Sequence, residues 1–206
     1  MQLSDTEITW ELLLAAYANG YFPMADANDD PILYWMYPEI RGILPLETFR
    51  IPTSLAKFIK KSPFIITTDT VFPQVIRACA NVTGERKETW INEKIIKLYC
   101  ELWENGFAHS VECWQESAHK GGNPTLVGGL YGVSIGGAFF GESMFSHVSN
   151  ASKVALVHLV GLLKNSGYTL LDTQFTNEHL KQFGVIEIPR AEYMLKLAEA
   201  MSVITK

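Results

Sequence analysis

Apolar positions along this chain recur at two periods, and the switches between them mark out its elements. From Thr6 to Ala18, Ile8, Leu12, Leu13 and Ala16 fall near a helical period, and Gly20 ends the run. Thr53 to Lys61 repeats that pattern, with Leu55, Phe58 and Ile59 on one side and Lys57, Lys60 and Lys61 on the other. Further helices are predicted around Phe72 to Cys79 and over Asn92 to Asn105, where Ile95, Leu98, Tyr99 and Leu102 recur and Gly106 suits the position after the cap. Three more are predicted: from a Ser149-Asn150 cap to about Asn165, from Thr176 or Asn177 to Gly184, and from Ala191 onward. Strand patterns cover Arg41 to Leu44, Phe64 to Thr68, Phe107 to Trp114, the two runs flanking Gly136-Gly137, and Tyr168 to Phe175. The paired glycines read as a hairpin turn. Residues 20–42 read as an ordered, turn-rich segment, and 81–88 and 115–124 as polar loops. The mixture predicts an α+β, or mixed α/β, domain built around one sheet.

Period two gives the strands their chemistry. It places Phe140, Glu142, Met144 and Ser146 on one face, and Asp172 beside Gln174 on another strand. A carboxylate and an amide next to a strand bearing Glu142 can form one hydrogen-bond network. Such a network either staples two strands together or orients an amine for attack on an ester, and spacing alone leaves both open. Phe140, Met144 and Leu156 near it line an apolar pocket or simply fill core. The lysines of 53–61 are a solvated helix face or a phosphate-contacting patch. His158, in an apolar helix, is expected to be a paired core histidine.

Bulk properties narrow the classes. A chain of 206 residues, 48% hydrophobic, suits one domain with a sizeable core, or a main domain with a small appendage. A net charge of -5 gives no global drive toward nucleic acid, so any such contact needs a local basic patch. Cys79, Cys100 and Cys113 are odd in number and widely spaced, which argues for reduced thiols rather than a zinc site or disulfide framework. No apolar run reaches the roughly 18 residues of a membrane span. The opening MQLSDTEITW carries two acids where a signal peptide needs positive charge, so a cytoplasmic location is expected. P-loop and HExxH patterns do not occur, which leaves nucleotide hydrolase and zinc protease readings without support.

Several runs carry a specific resemblance: AYANGYFPM, PILYW, SLAKFIKKSP, TWINEKI, GFAHSVECW, VGGLYGV, FFGESMFSHVSNASK, LLDTQFTNEHL and FGVIEIPRAEY. In this order, over nearly the whole chain, they resemble the leucyl/phenylalanyl-tRNA–protein transferases. The resemblance implies a small N-terminal domain over residues 1–38 and a GNAT-like aminoacyltransferase domain over 39–206. It also implies transfer of leucine or phenylalanine from leucyl-tRNA or phenylalanyl-tRNA to the α-amine of proteins with N-terminal Arg or Lys, marking them for N-end-rule degradation. The aminoacyl ester carries its own activation, so no cofactor, ATP or metal is implied, and the family works as a cytoplasmic monomer without a membrane.

By the same resemblance, Asp172 and Gln174 match the proposed catalytic pair, while Glu142 and Asn177 match residues that orient it. Gln174 is then assigned to orientation and Asp172 to electrostatics, with the proton acceptor open and a tRNA ribose hydroxyl as one alternative. Leu130, Phe140, Met144, Ser146 and Leu156 match the pocket for the transferred side chain. Trp90, Tyr99 and Tyr17 match positions around the terminal adenosine, and Lys57, Lys60 and Lys61 would meet acceptor-stem phosphates. Asp172→Ala is expected to abolish transfer while leaving the fold intact.

Three departures stand out. Met24 stands where many relatives have a tryptophan that flanks the adenine, so a sulfur–aromatic contact is expected there in its place; the family's usual extension ahead of residue 1 is expected to be missing; and the 115–124 loop is longer than usual. An acyl-CoA-dependent N-acyltransferase is the first rival, but SHVSNASK occupies the hairpin-to-helix junction where such enzymes carry an Arg/Gln-x-x-Gly-x-Gly/Ala turn. An inactive tRNA-binding adaptor is the second.

Overall fold

A computed structural model describes residues 8–27, 32–81, 89–117, 119 and 121–205. The N-terminal helix α1 (Trp10–Ala18) is capped by Thr9, whose hydroxyl accepts the Leu12 N–H. A two-stranded antiparallel sheet follows, β1 (Phe22–Met24) with β2 (Tyr34–Met36), inside the segment expected to be ordered and turn-rich. Thr6 and most of the polar 81–88 stretch lie outside the described residues.

The main sheet has seven strands. In chain order they are β3 (Ile40–Ile43), β4 (Phe64–Thr68), β5 (Ala108–Gln115), β6 (Thr125–Ile135), β7 (Ala138–Ser146), β8 (Leu170–Gln174) and β9 (Ile186–Pro189). Their order across the sheet is β4-β5-β6-β7-β8-β3-β9, and every neighbouring pair is antiparallel except β7–β8. The observed class is mixed α/β, as the patterning predicts. Edge strand β9, four residues with Ile188 alone buried, is too short to announce itself in the sequence.

Helices cover both faces of this sheet. On one face α1, α3 (Phe72–Ala80), α4 (Glu93–Glu104) and α7 (Arg190–Met201) bury Leu13, Tyr17, Ile76, Tyr99 and Tyr193 against Tyr131, Phe140 and Phe145. On the other, α2 (Thr53–Ile59), α5 (Ala151–Asn165) and α6 (Glu178–Lys181) bury Leu55, Leu156 and Leu180 against Leu130, Phe139 and Leu171. Helix α4 runs from its Asn92 cap to Asn105, matching its pattern. Helix α5 differs in two details. Asn150 at its start has φ +70° and makes no side-chain cap bond, and His158 is exposed rather than core. Its stripe of 158, 161, 162 and 165 faces solvent while Ala151, Ala155 and Leu159 face the sheet.

Two irregularities in the sheet make room for a site. The β6–β7 hairpin turns at Gly136-Gly137, with Gly136 at φ +55°. Farther along, Leu130 pairs with Met144 and Tyr131 with Ser143, but Gly132 pairs with Gly141, so Glu142 has no opposite residue. This bulge flips the alternation. Phe140 therefore faces α1 and α4, whereas Met144 faces α5 with Leu130. The single face expected for Phe140, Glu142, Met144 and Ser146 is thereby corrected. A Cβ on Gly132 would lie 2.3 Å from the Phe140 carbonyl oxygen, so the strands close up there only because that residue is glycine.

The second irregularity is the parallel pair. Strands β7 and β8 pair only from Ala138–Leu170 to Phe140–Asp172 and then part. Gln174 ends β8 with φ +54°, and the Phe175 N–H turns back to the Thr173 carbonyl. The chain thus leaves the sheet one residue before the expected strand end.

Candidate active site

A cavity of about 520 Å³ opens where β7 and β8 separate. Open parallel strands place ligands at this end, beyond their carboxyl termini. Its apolar wall is Leu130 and Met144 from the hairpin, Leu156 and Leu159 from α5, and Leu171 and Leu180. Trp90 stands at its margin, and Glu142, Ser146, Ser152, Thr173, Asn177 and His179 supply polar groups. Burial, with help from the Lys153 charge, lowers the His179 pKa, so that ring is neutral near pH 7.

Glu142 is the hub of the polar side. Its Oε1 accepts the Tyr17 hydroxyl at 2.7 Å and the Gln174 side-chain N–H at 3.0 Å, and its Oε2 accepts the Tyr99 hydroxyl at 3.1 Å. The two tyrosine hydroxyls also hydrogen-bond to each other. Burial dominates this carboxyl and pushes its pKa up to about 7, against the lowering effect of the two hydroxyls. Burial, reinforced by the Glu142 charge, raises both tyrosine pKa values well above the ordinary phenol value, so both remain donors.

Asp172 sits behind this hub, fully buried. Arg41, itself 2% exposed, grips it through Nε at 3.0 and 3.1 Å and through Nη2 at 2.6 Å. The Tyr193 hydroxyl donates to Oδ2 at 2.8 Å, and the Gln174 backbone N–H to Oδ1 at 2.8 Å. The guanidinium lies 4.5 Å from both the Phe22 and Tyr193 ring centroids, and its Nη1 donates to the Gly20 carbonyl at 3.1 Å. Burial works against the Arg41 charge, but Asp172 more than offsets it, and the net shift is upward. The Asp172 bond to Gln174 N–H holds the left-handed turn that aims the Gln174 amide at Glu142.

The expected residues therefore divide. Glu142, Asn177, Leu130, Met144, Ser146, Leu156 and Trp90 share the cavity. Gln174 touches it through Glu142. Phe140, Tyr17 and Tyr99 are fully buried beneath it, Phe140 against the Tyr17 ring at 4.8 Å, and do not line it. Asn177 spends its side-chain oxygen capping α6, on the Leu180 N–H, rather than on Asp172 or Gln174. Met24 packs against the α1–α4 core, away from the cavity lining. Lys57, Lys60 and Lys61 are exposed on or just beyond α2, which packs Leu55 into the same layer as the apolar wall.

Sequence reasoning missed Arg41 and Tyr193. A lone arginine in a short strand reads as surface, and nothing local couples it to a carboxylate 131 residues away. Ser152 and His179 do lie within quoted motifs, in NASK and TNEHL, and that was their signal. Among the described residues no group of acidic, histidine or cysteine side chains is arranged to hold a metal ion.

A family model described as Leucyl/phenylalanyl-tRNA protein transferase matches residues 43–198, and a model of that family's N-terminal domain matches 6–39. The leucyl/phenylalanyl-tRNA–protein transferase of Paramagnetospirillum magneticum is 56% identical over 195 residues, covering 95% of this chain and 90% of that protein. Its counterpart in Rhodospirillum rubrum is 52% identical over 197 residues, covering 96% and 89%.

Proposed function

Because the chain belongs to the leucyl/phenylalanyl-tRNA protein transferase family, we propose that it is an aminoacyltransferase that moves leucine or phenylalanine from its tRNA to the α-amine of a protein beginning with Arg or Lys. A new peptide bond forms, and the product is marked for N-end-rule degradation. The observation that carries this reading is the divided cavity, apolar on its α5 side and hydrogen-bonding on its Glu142 side. An aminoacyl ester has the same division, with an apolar side chain next to a polar reacting centre.

Leu130, Met144 and Leu156 receive the transferred side chain. Shape decides there, since one methylene in such a pocket is worth about 1–3 kcal/mol. Trp90 stacks on the terminal adenine, a contact worth roughly 1–3 kcal/mol, and Met24 contributes no second platform in the cavity. Asp172 supplies fixed charge from beneath and Gln174 orients the reacting groups. The ester brings its own activation, so the step draws on neither ATP nor metal. Residues 1–38 and 39–206 act as a small N-terminal unit and a GNAT-like transferase unit, and the first delivers Tyr17 to Glu142 of the second. The enzyme works as a cytoplasmic monomer. Among the described residues no helix is long and apolar enough to cross a membrane.

Transfer of labelled leucine from leucyl-tRNA to two peptides that differ only in N-terminal Arg or Ala is the direct test. Label on the Arg peptide alone, without ATP or acyl-CoA, is expected. Label that requires acyl-CoA moves the chain to the acyl-CoA class, and bound tRNA with no label leaves an adaptor.

The lysines of α2 supply the local basic patch that a chain of net charge -5 needs in order to hold tRNA. Lys60→Glu combined with Lys61→Glu is expected to weaken tRNA binding and flatten its dependence on salt, because fewer counterions are released. An unchanged slope across a salt titration returns these lysines to an ordinary solvated face.

A further inference from the structure

We propose that Glu142 is the general base of the reaction: it takes the proton from the acceptor's α-amine, with Tyr17 and Tyr99 completing a ring that holds that proton. The proposal rests on the transfer reading above and goes beyond it, because that reading leaves the proton without a destination.

Asp172 is poorly placed for this task. It has no exposed surface, and Arg41, Tyr193 and the Gln174 backbone N–H occupy its oxygens. Gln174 is no better, since an amide is a very weak base and its N–H is already committed to Glu142. Glu142 alone of the three carries a carboxylate into the cavity wall.

Counting hydrogens around that carboxylate gives an independent argument. Three oxygen–oxygen contacts link it to its tyrosines: Tyr17 to Oε1, Tyr99 to Oε2, and Tyr17 to Tyr99. Each contact needs one hydrogen, and two phenols bring two. With Glu142 ionised, one contact is left empty. A proton on Oε2 closes the ring, running from Oε2 to Tyr99, from Tyr99 to Tyr17 and from Tyr17 to Oε1. The site is thus built one proton short.

The groups facing Glu142 are Tyr17 from α1, Tyr99 from α4, Gln174 and Asp172 from β8, and Arg41 from β3. Asp172 raises its proton affinity and Arg41 lowers it, while burial dominates and brings the carboxyl to about 7. A base poised there is half free at neutral pH and strong enough to act.

In the step, the neutral amine nitrogen attacks the ester carbonyl carbon and the N–C bond forms. The nitrogen's surplus proton passes to Glu142. As the C–O bond to the ribose breaks, that proton goes to the departing ribose oxygen and the carboxylate is restored. Ester and amine become amide and alcohol with no net gain or loss of protons.

The test is the rate of leucine transfer to an Arg-peptide from pH 5.5 to 9 for wild type, Glu142→Gln and Tyr99→Phe, with leucyl-tRNA binding measured alongside. Wild type is expected to rise through an inflection near 7, separate from that of the acceptor amine at about 7.7–8.0. Glu142→Gln is expected to lose roughly 10²–10⁴-fold in rate and the inflection near 7, while binding leucyl-tRNA as wild type does. Tyr99→Phe breaks the ring at its Oε2 side, so its inflection is expected to move away from that of wild type. A Glu142→Gln enzyme that keeps the rate or the inflection overturns the proposal. Should that variant not fold, an unmoved inflection in Tyr99→Phe overturns it. Wild type that transfers nothing at any pH instead rejects the transfer reading itself.

Discussion

Asp172→Ala is expected to lower unfolding stability by about 3–5 kcal/mol, because it strands the Arg41 charge in the core with no carboxylate to balance it. For a chain of this size that is a fall of roughly 6–20 °C in melting temperature. The burial of the pair thus sets a loss of stability beside the expected loss of transfer in this variant, so that loss of transfer is not by itself a statement about chemistry. Arg41→Met with Asp172→Leu separates the two effects. Removing both charges together relieves the stranded ion, so most of the stability is expected to return while transfer stays lost, since nothing then holds the Gln174 turn. Urea unfolding of the three proteins checks this. A single Asp172→Ala variant as stable as wild type would show that the pair is not the anchor described here.

The second large effect is a dependence of stability on pH that runs against the usual direction for a carboxylate. Glu142 has a folded pKa of about 7 against an ordinary value of 4.5, raised chiefly by burial. The folded protein thus binds more protons than the unfolded chain between those values. Its stabilising contribution is complete below about 4.5 and is lost as pH rises through 7. At about 1.4 kcal/mol per pKa unit, the change approaches 3 kcal/mol over the window. Other carboxylates overlay this trend, so the readable quantity is the difference between wild type and Glu142→Gln. That difference is expected to shift by about 3 kcal/mol from pH 4.5 to 7, against the variant at low pH and in its favour near neutrality. Parallel slopes for the two proteins would mean that Glu142 titrates as an ordinary surface acid.

Much of the architecture was legible because it is written in local patterns. Helix α4 shows its buried stripe at Ile95, Leu98, Tyr99 and Leu102, and the Gly136-Gly137 turn joins the strands it was expected to join. The acidic and amide groups at 142, 172 and 174 were also visible as candidates, and they do converge. Their arrangement was not visible. A strict period of two cannot register the extra residue at Glu142, which sends Phe140 and Met144 to opposite layers. Gly132 and Gly141, paired across the bulge, were its trace in the sequence. The Arg41–Asp172 pair left no trace, since contacts between distant segments have no period. His158 was misjudged for a plainer reason. The apolar character of α5 is an average over the helix, while exposure follows the stripe.

The clamp on Arg41 also bears on when in its own synthesis this protein becomes competent. Arg41 closes on a carbonyl and a ring from the first turns of the chain, at Gly20 and Phe22, yet needs Asp172 and Tyr193, 131 and 152 residues farther on. Contacts so distant along the chain form late, and chains emerging from the ribosome fold from the N-terminal end. The left-handed turn at Gln174, and with it the aim toward Glu142, waits on the arrival of the last helix. A protein that transfers amino acids from tRNA to other proteins is thus held idle until α7 of its own chain has been made.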